Sequence, residues 1–291
     1  MDTLNYHHLR YFREVARTGN LTRAAERLNL SQSAMSAQIR QLEDRLGQPL
    51  FDRVGRRLEL TEAGRIALDY ADRIFGAGAE MLDTLRRTGG GRAPLRVGAL
   101  STLSRNFQLR FLAPVLGRDD VELVLRSGGA ASLLAGLAEL ALDVVLLTEV
   151  PRIAGADLSA HRLAAQPVAI HGLPDLVRAP DLPGLLRSGG FLVPSESTIR
   201  AGFLALAARH GVVPRIVADV DDMAMIRLLA REGAGLAVTP PVVVADELAS
   251  GRLETAPFAL GIVETFFAVT LPRRFPHPVL AVLLDAAAEP L

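Results

Sequence analysis

The stretch from Asn20 to Gly47, NLTRAAERLNLSQSAMSAQIRQLEDRLG, has the pattern of two short helices joined by a tight turn. Asn20 and Ser31 stand where a side-chain oxygen can accept a hydrogen bond from an unpaired N–H at a helix start. Four apolar residues of the second helix recur at spacings of four, three and four, which predicts one stripe facing a core. These residues are Met35, Ile39, Leu42 and Leu46.

The opposite face of the second predicted helix carries small, amide and guanidinium side chains. The major groove of DNA admits a helix, and Gln and Arg are suited to hydrogen bonding with base edges. On spacing alone, a solvent-exposed helix pair with no ligand explains this face equally well. The residues of the face are Gln32, Ser33, Ser36, Ala37 and Arg40.

A longer stretch, from Leu9 to Gly64, resembles the winged helix-turn-helix domain of the LysR-type transcriptional regulators. The resemblance rests on many matches at fixed spacing, among them Ala24-Ala25, Ser31-Gln32-Ser33-Ala34 and Leu60-Thr61-x-Ala63-Gly64. Two positions depart from the usual family pattern, because Asn20 replaces a Ser and Leu21 replaces an aromatic residue. Asn caps a helix as well as Ser does, so we expect the fold to be unchanged.

Alternation around Gly55 predicts a short hairpin from Asp52 to Leu60, the wing of such a domain. Three arginines concentrate positive charge in this hairpin. A solubilising hairpin tip is the alternative, but within this motif contact with DNA phosphates is the stronger prediction. The predicted DNA contacts of the whole domain are Ser31, Gln32, Ser33, Ser36, Arg40, Arg53, Arg56 and Arg57.

Thr61 is placed to cap a long helix that continues to about Arg87. Small and apolar residues repeat along it by four and three, which predicts a heptad seam that pairs with a second copy of the helix. Packing against its own C-terminal domain is the alternative. In the resembling family this segment is the linker helix of a homodimer, and two dimers form a homotetramer on DNA. The predicted interface residues are Ala67, Ala71, Ile74, Gly78, Met81 and Leu85.

Gly89-Gly90-Gly91 with Pro94 predicts a hinge, and beyond it β-branched runs alternate with helical stretches. This alternation predicts a mostly parallel α/β architecture, and its length favours two lobes. Pro114 is expected to kink or restart a helix. The predicted strands are Leu95–Leu100, Val121–Leu125, Val144–Leu147, Val168–Ile170, Phe191–Val193, Ile216–Val220, Gly235–Val238 and Phe266–Thr270.

The C-terminal part is similar to the LysR-type co-inducer domain, which is shaped like periplasmic solute-binding proteins. The similarity rests on Leu95-Arg96-Val97-Gly98, Leu142-Asp143-Val144-Val145 and the run from Arg231 to Pro240. The stretches LNYHHLRYF and LVPSESTIR resemble the branch that regulates sodium/proton antiporters. The implied divisions are a DNA-binding domain 1–60, a linker helix 61–88, a hinge 89–94 and an effector domain 95–291, with lobes at about 95–165 plus 264–291 and at about 166–263.

Polar residues follow one predicted strand in each lobe. Ligands of open α/β sheets bind outside the carboxyl ends of strands, so both sets are predicted to face one cleft that holds a small effector. Ordinary helix capping explains these residues equally well. Glu196 argues against a purely anionic effector and leaves room for a cation or an amine. The two sets are Ser101, Thr102 and Ser104, and Ser195, Glu196, Ser197 and Thr198.

Several classes of function are disfavoured. The chain has no cysteine, which excludes disulfides and thiolate chemistry, and it has no phosphate-binding loop, serine-hydrolase elbow or HExxH motif. We therefore predict no enzymatic activity, no cofactor and no bound metal. The formal net charge is zero, but residues 1–62 hold ten Arg against eight acidic residues, and DNA binding depends on where charge lies. No signal peptide or membrane-spanning run is recognisable, so the expected location is the cytoplasm.

We therefore predict a LysR-type transcriptional regulator with an all-α winged helix-turn-helix, a long linker helix and a two-lobed α/β effector domain. Its expected partners are a double-stranded DNA operator, a small-molecule or ion effector and further copies of itself. RNA polymerase is a further candidate partner, and no membrane is expected. The rival hypothesis is a small-molecule-binding protein or enzyme with a fused DNA-binding module.

Overall fold

The computed structural model describes residues 4–54, 57–88, 92–150, 158–195, 197–273 and 275–287. The chain divides into two units, Met1–Asp83 and Thr84–Leu291. Parts of three predicted features lie outside the described residues, namely the wing tip with Arg56, the hinge residues 89–91 and Glu196.

The N-terminal unit begins with three helices whose ends follow the predicted capping chemistry. Asn20 accepts a hydrogen bond from the Arg23 N–H at 3.0 Å, and Ser31 accepts one from the Ala34 N–H at 3.1 Å. Both predicted caps are thus confirmed. The elements are α1 (Tyr6–Thr18), α2 (Leu21–Arg27), α3 (Gln32–Leu46), β1 (Phe51–Val54), β2 (Arg57–Leu60) and α4 (Glu62–Thr88).

The core of the N-terminal unit is formed where α1, α3 and α4 meet. Leu42 of the predicted α3 stripe is buried in it, while Met35 and Ile39 are buried in a second cluster that α3 forms with α1 and α2. Leu46 does not belong to this core, contrary to the prediction, because its side chain is 42% exposed. Leu46 is the last residue of α3, beyond the edge of the packed face, and its side chain lines an apolar groove instead.

The C-terminal unit contains two five-stranded sheets with helices packed against them. In chain order its elements are β3 (Ala93–Leu100), α5 (Arg105–Leu112), a 3-10 helix (Ala113–Val115), β4 (Val121–Gly128), α6 (Ala130–Ala138), β5 (Val144–Leu147), β6 (Ser159–Pro167), β7 (Ala169–Gly172), α7 (Leu182–Ser188), β8 (Gly190–Pro194), α8 (Thr198–Arg209), β9 (Arg215–Val220), α9 (Met223–Arg231), β10 (Leu236–Thr239), a 3-10 helix (Pro241–Val244), α10 (Ala245–Ala249), β11 (Glu254–Thr255), β12 (Val263–Thr270) and α11 (Pro278–Ala287).

Each sheet forms the centre of one lobe. Lobe 1 has the strand order β4-β3-β5-β12-β6, and lobe 2 has the order β11-β7-β10-β8-β9. The prediction of a mostly parallel architecture is confirmed, because four of the five strands in each sheet run in one direction. The exceptions are β12 in lobe 1 and β7 in lobe 2, each of which runs antiparallel to both of its neighbours. The strand β6 was not predicted, since its sequence SAHRLAAQP has no β-branched residue, no Phe, Tyr or Trp, and is mostly exposed.

The chain connects the two lobes twice, and the two connections run side by side. Strand β6 ends at Pro167 and β12 begins at Val263, and these two residues are paired in the antiparallel ladder. Just beyond them, the Val168 N–H donates to the Ile262 carbonyl at 2.9 Å. We call this pair of adjacent connections the hinge strands.

Lobe 1 is held together by a buried aromatic contact and a buried ion pair. The rings of Phe107 on α5 and Phe266 on β12 stack with centroids 4.1 Å apart. The Arg273 guanidinium lies 2.6 Å from a carboxylate oxygen of Asp143, whose other oxygen accepts from the Arg96 N–H at 2.8 Å. As Pro114 predicts, helix α5 stops at Leu112 and continues as a 3-10 turn. Among the described helices, none is long and apolar enough to cross a membrane.

Candidate DNA interface, pairing surface and effector cleft

Helix α3 presents the predicted recognition residues on one exposed face. Ser31, Gln32, Ser33 and Arg40 are exposed and Ser36 is half-buried, while Met35 and Ile39 on the other face are buried. The burial of that apolar face against α1 and α2 fixes the orientation of the helix. Its polar face is therefore available to a ligand as large as DNA.

The hydrogen bonds of these residues show which side chains are already bonded within α3 and which are free to bond a ligand. Ser31 caps α3 and also lies 3.1 Å from the Ser33 hydroxyl, and Arg40 donates to the Ser36 hydroxyl at 3.1 Å. Within the described part of the chain, the Gln32 amide makes no hydrogen bond. Gln32 is therefore the member of the set whose donor and acceptor are both available to a base edge.

The wing is a two-stranded antiparallel hairpin. Phe51 pairs with Leu60 and Val54 pairs with Arg57, so the two four-residue strands are paired along their whole length. Arg53 and Arg57 lie on the strands, but their side chains, like all of Arg56, lie outside the described residues. The hairpin and its register therefore agree with the sequence pattern, whereas phosphate contact stays a prediction.

Helix α4 has a different apolar surface from the predicted seam. Ala71 is fully buried in the core of its own unit, against Leu9 and Phe12, and cannot contact a partner. Ala67 is half-buried beside that core, and the predicted residues Ile74, Met81 and Leu85 are exposed. Gly78 is half-buried, and a Cβ there would lie 3.1 Å from the Tyr6 hydroxyl.

The spacing argument missed two large exposed side chains on the same helix, Ile66 and Tyr70, the latter 58% exposed. They line an apolar groove of about 340 Å³ in the N-terminal unit. A stripe stepping by four along α4 from Ile66 would have identified them, because they share a face with Ile74. The groove is formed by Leu4, Leu9, Leu46, Gln48, Leu50, Ala63, Ile66, Ala67, Tyr70 and Ile74.

In lobe 1, the predicted effector residues follow the carboxyl end of β3. Ser101 and Thr102 are half-buried in the turn, and the Ser101 N–H donates to the Gly128 carbonyl at 3.2 Å. Ser104 is buried and its hydroxyl accepts from the Phe107 N–H at 3.4 Å, which caps α5. The Ser104 hydroxyl is therefore much less accessible to a ligand than Ser101 and Thr102.

In lobe 2, the corresponding residues follow β8. Ser195 is half-buried and its hydroxyl donates to a carboxylate oxygen of Asp219 on β9. The same carboxylate is bound by Arg200 at 2.5 Å. Ser197 caps α8 by accepting from the Arg200 N–H at 3.2 Å, and Thr198 is exposed.

The predicted sets thus lie at the ends of β3 and β8, where an α/β sheet binds ligands. Sequence reasoning missed the Arg200–Asp219 pair beside Ser195. Its two members lie 19 positions apart, and no local pattern connects them. The described residues contain no group of three or more His, Cys, Asp or Glu residues arranged to hold a metal ion.

Two buried ionisable groups lie outside these sets. Burial lowers the pKa of His171 on β7 to about 4, and burial raises the pKa of Glu264 on β12 to about 8. The His171 ring nitrogens lie 2.9 Å from the Thr255 hydroxyl and 3.1 Å from the Thr239 carbonyl oxygen. Both side chains are therefore uncharged at neutral pH.

A winged helix-turn-helix joined to a two-lobed α/β domain defines a DNA-binding regulator with a ligand-binding domain. Comparison with known proteins gives the family. Residues 6–65 match the bacterial regulatory helix-turn-helix protein, lysR family, and residues 88–291 match the LysR substrate binding domain. The chain therefore belongs to the LysR family of transcriptional regulators.

Relatives of known role are also transcriptional regulators. The RuBisCO operon transcriptional regulator of Allochromatium vinosum is 32% identical over 253 residues, covering 85% of this chain and 83% of that protein. The transcriptional activator protein NhaR of Escherichia coli K12 is 27% identical over 281 residues, covering 96% and 93%. ArgP from Mycobacterium tuberculosis has a similar fold, with a TM-score of 0.66 at 20% identity and 97% coverage of both chains. The chain is thus similar both to NhaR and to a RuBisCO operon regulator, so these similarities do not assign it to a single branch of the family.

Proposed function

We propose that this regulator reads its operator through α3 and changes its effect on the DNA when a small effector binds between lobe 1 and lobe 2. The observation that carries the first part is the exposed face of α3, with the Gln32 amide free of protein partners in the described chain. A Gln side chain can bond adenine through two hydrogen bonds in the major groove. The protein acts by binding, without catalysing a reaction.

Each segment of the chain has its own role in this proposal. Residues 1–60 bind DNA, and Arg53, Arg56 and Arg57 of the wing contact DNA phosphates. Residues 61–88 pair two copies, residues 89–94 form the hinge to the effector domain, and residues 95–291 bind the effector. The sequential order of a folded DNA-binding unit, a helix with an exposed apolar face and a two-lobed unit supports this division.

Pairing uses the apolar groove of the N-terminal unit and the exposed face of α4. Leu46, Ile66 and Tyr70 present large apolar surface to water in a single chain, which a second copy would bury. A homodimer would place two α3 helices on the two halves of an imperfect palindrome, and two dimers would form a tetramer. We further propose RNA polymerase as a partner and the cytoplasm as the location, since both follow from action on chromosomal DNA.

The effector contacts are Ser101 and Thr102 in lobe 1 and Ser195, Glu196, Ser197 and Thr198 in lobe 2. The hydroxyl groups of Ser101 and Thr102 are half-buried at a strand end, which leaves them within reach of a small ligand. Ser104 supports the site by capping α5 and does not contact the effector directly, because its hydroxyl is buried. A ligand carrying an amine or a cation suits the acidic Glu196.

Footprinting of the purified protein on the DNA upstream of its own gene tests the proposal. Gln32→Ala should lower affinity for the protected operator by about tenfold or more, since one bidentate base contact is worth about 1–3 kcal/mol. Affinity for random duplex should change far less. Gln41→Ala, which alters an exposed Gln elsewhere on α3, is the matched control and should leave both affinities unchanged. Equal losses on operator and random DNA for Gln32→Ala would contradict base reading by this residue.

A further inference from the structure

A cavity of about 340 Å³ lies where the two lobes meet beside the hinge strands. Arg110, Gln166 and Pro167 line it from lobe 1 and the hinge strands. The 3-10 helix after β10 and α10 line it from lobe 2. These lobe 2 residues are Pro241, Val242, Ala245 and Leu248.

This cavity is separate from the predicted effector residues. Ser101, Thr102 and the segment from Ser195 to Thr198 follow the carboxyl ends of β3 and β8, and none of them lines the cavity. Arg110 lies near the other end of α5, about one and a half turns beyond its start. A volume of about 340 Å³ is at the lower end of the range for small-ligand sites.

Among the described residues that line the cavity, Arg110 carries the one formal charge, which is positive. Arg110 is exposed and makes no ion pair within the described chain. The two acidic residues of α10, Asp246 and Glu247, both bind Arg227, at 3.4 and 2.7 Å. Glu264, which pairs with Gln166 across the ladder, is buried and uncharged at neutral pH because burial raises its pKa to about 8.

The rest of the lining is apolar apart from one amide. Pro167, Val242 and Leu248 offer carbon surface, while Gln166 carries an Oε1 atom that is buried without a hydrogen-bond partner among the described residues. A single guanidinium in an otherwise largely apolar lining suits a ligand with one carboxylate and a short hydrocarbon body. A phosphate monoester carries about −1.5 to −2 charges at pH 7, which is more than Arg110 alone would neutralise.

We propose that this cavity binds a small monocarboxylate with an apolar body, held by Arg110 and packed against Val242 and Leu248. Because its walls come from both lobes, a bound carboxylate would favour the lobe arrangement in which those walls are close. It would therefore change the apparent affinity of the effector cleft without occupying it, and the effector would change carboxylate affinity by the same factor. The site is an addition to the proposed effector function and does not depend on it.

Titration of the full-length protein with sodium hexanoate, followed by methyl NMR and calorimetry, tests the proposal. Hexanoate should bind saturably with a Kd of about 1 mM, which is reasonable for eight non-hydrogen atoms. The methyl signals of Val242, Ala245 and Leu248 should shift. Hexan-1-ol, which has the same chain without the carboxylate, should bind at least about tenfold more weakly.

Two variants and a control decide the outcome. Arg110→Gln should weaken hexanoate binding by about tenfold or more, and Ala245→Leu should weaken it comparably by filling the cavity. Arg209→Gln removes the same charge from an exposed position on α8 that does not line the cavity, and should bind as the unaltered protein does. Equal affinity in Arg110→Gln and Arg209→Gln, the absence of saturable binding, or shifts confined to Thr102 and Thr198 would each overturn the proposal.

Discussion

The Ser104 hydroxyl of lobe 1 lies 3.5 Å from the Val242 carbonyl oxygen of lobe 2, and both groups are buried. The same hydroxyl oxygen accepts from the Phe107 N–H. One side chain thus caps a helix in its own lobe and donates to the backbone of the other. Ser104 was predicted as an effector contact, but these bonds indicate that it also connects the lobes.

Ser104→Ala should destabilise the C-terminal unit by about 1 kcal/mol, the usual effect of losing a cap, plus a contribution from the unpaired Val242 carbonyl. Urea unfolding followed by circular dichroism measures the change. Ser188→Ala is the control, because that hydroxyl bonds within its own helix to the Gly184 carbonyl. The interpretation fails if both variants lose the same stability.

Thr102→Ala should change effector response without changing stability by more than about 0.5 kcal/mol, because Thr102 is half-buried and caps no helix in the described chain. The effector is first identified by footprinting in the presence of metabolite panels. Transcription is then measured as a function of effector concentration. The effector concentration for half-maximal response should rise, while affinity for DNA without effector stays the same. Dose curves that coincide with those of the unaltered protein would remove Thr102 from the site.

Ile74→Asp should convert the protein to monomers and weaken operator binding. The substitution places a charge on the face of α4 that we expect a second copy to cover, and an unpaired buried charge is strongly destabilising. Sedimentation velocity at low concentration measures the change. Leu204→Asp is the matched control, since Leu204 and Ile74 are both 36% exposed but Leu204 lies on α8. An unchanged oligomer in Ile74→Asp would exclude this face.

Arg53→Ala should weaken binding to operator and to random DNA about equally. Loss of one phosphate contact releases one counterion fewer, so the slope of log K against log salt should decrease by about one. Titrations across a salt series on both duplexes give the slope. Arg178→Ala, at an exposed position in lobe 2, is the control and should leave the slope as it is. A loss restricted to the operator would instead indicate that Arg53 reads bases.

The contribution of His171 to the stability of the C-terminal unit should decrease as pH falls from about 6.5 to about 4. Burial lowers the pKa of His171 in the folded protein to about 4 from its ordinary value of 6.5. Below pH 6.5 the unfolded chain therefore takes up a proton that the folded chain does not, which lowers the free energy of unfolding until the pH reaches about 4. The full difference amounts to about 3 kcal/mol. Glu264 acts in the opposite sense, because its raised pKa makes the fold lose stability as pH rises towards 8.

A comparison of variants isolates the histidine from that opposing effect. The unfolding free energy of the unaltered protein minus that of His171→Asn should fall by about 3 kcal/mol between pH 6.5 and 4, because the Glu264 contribution cancels in this difference. His210→Asn, at an exposed position after α8, should retain the full dependence. Identical pH profiles for His171→Asn and the unaltered protein would refute the assignment.

The local sequence determined the helix ends and the class of the fold. Asn20 and Ser31 cap helices by bonds to residues three positions away, so the information lies within a few residues. The spacing of Met35, Ile39 and Leu42 likewise reports burial directly, because a helix turns by a fixed angle per residue. Pro114 ended α5 for an equally local reason.

Only the tertiary structure decided which of several apolar positions face a core and which face water. Ala71 and Tyr70 are adjacent on α4, yet Ala71 is buried by α1 and Tyr70 lines an open groove, because the position of α1 selects the face. The strand β6 lacks β-branched residues and is mostly exposed, and it exists through its pairing with β12, about 100 residues away. The cavity between Arg110 and Val242 arises in the same way, since the walls come from segments that meet only when both lobes have folded.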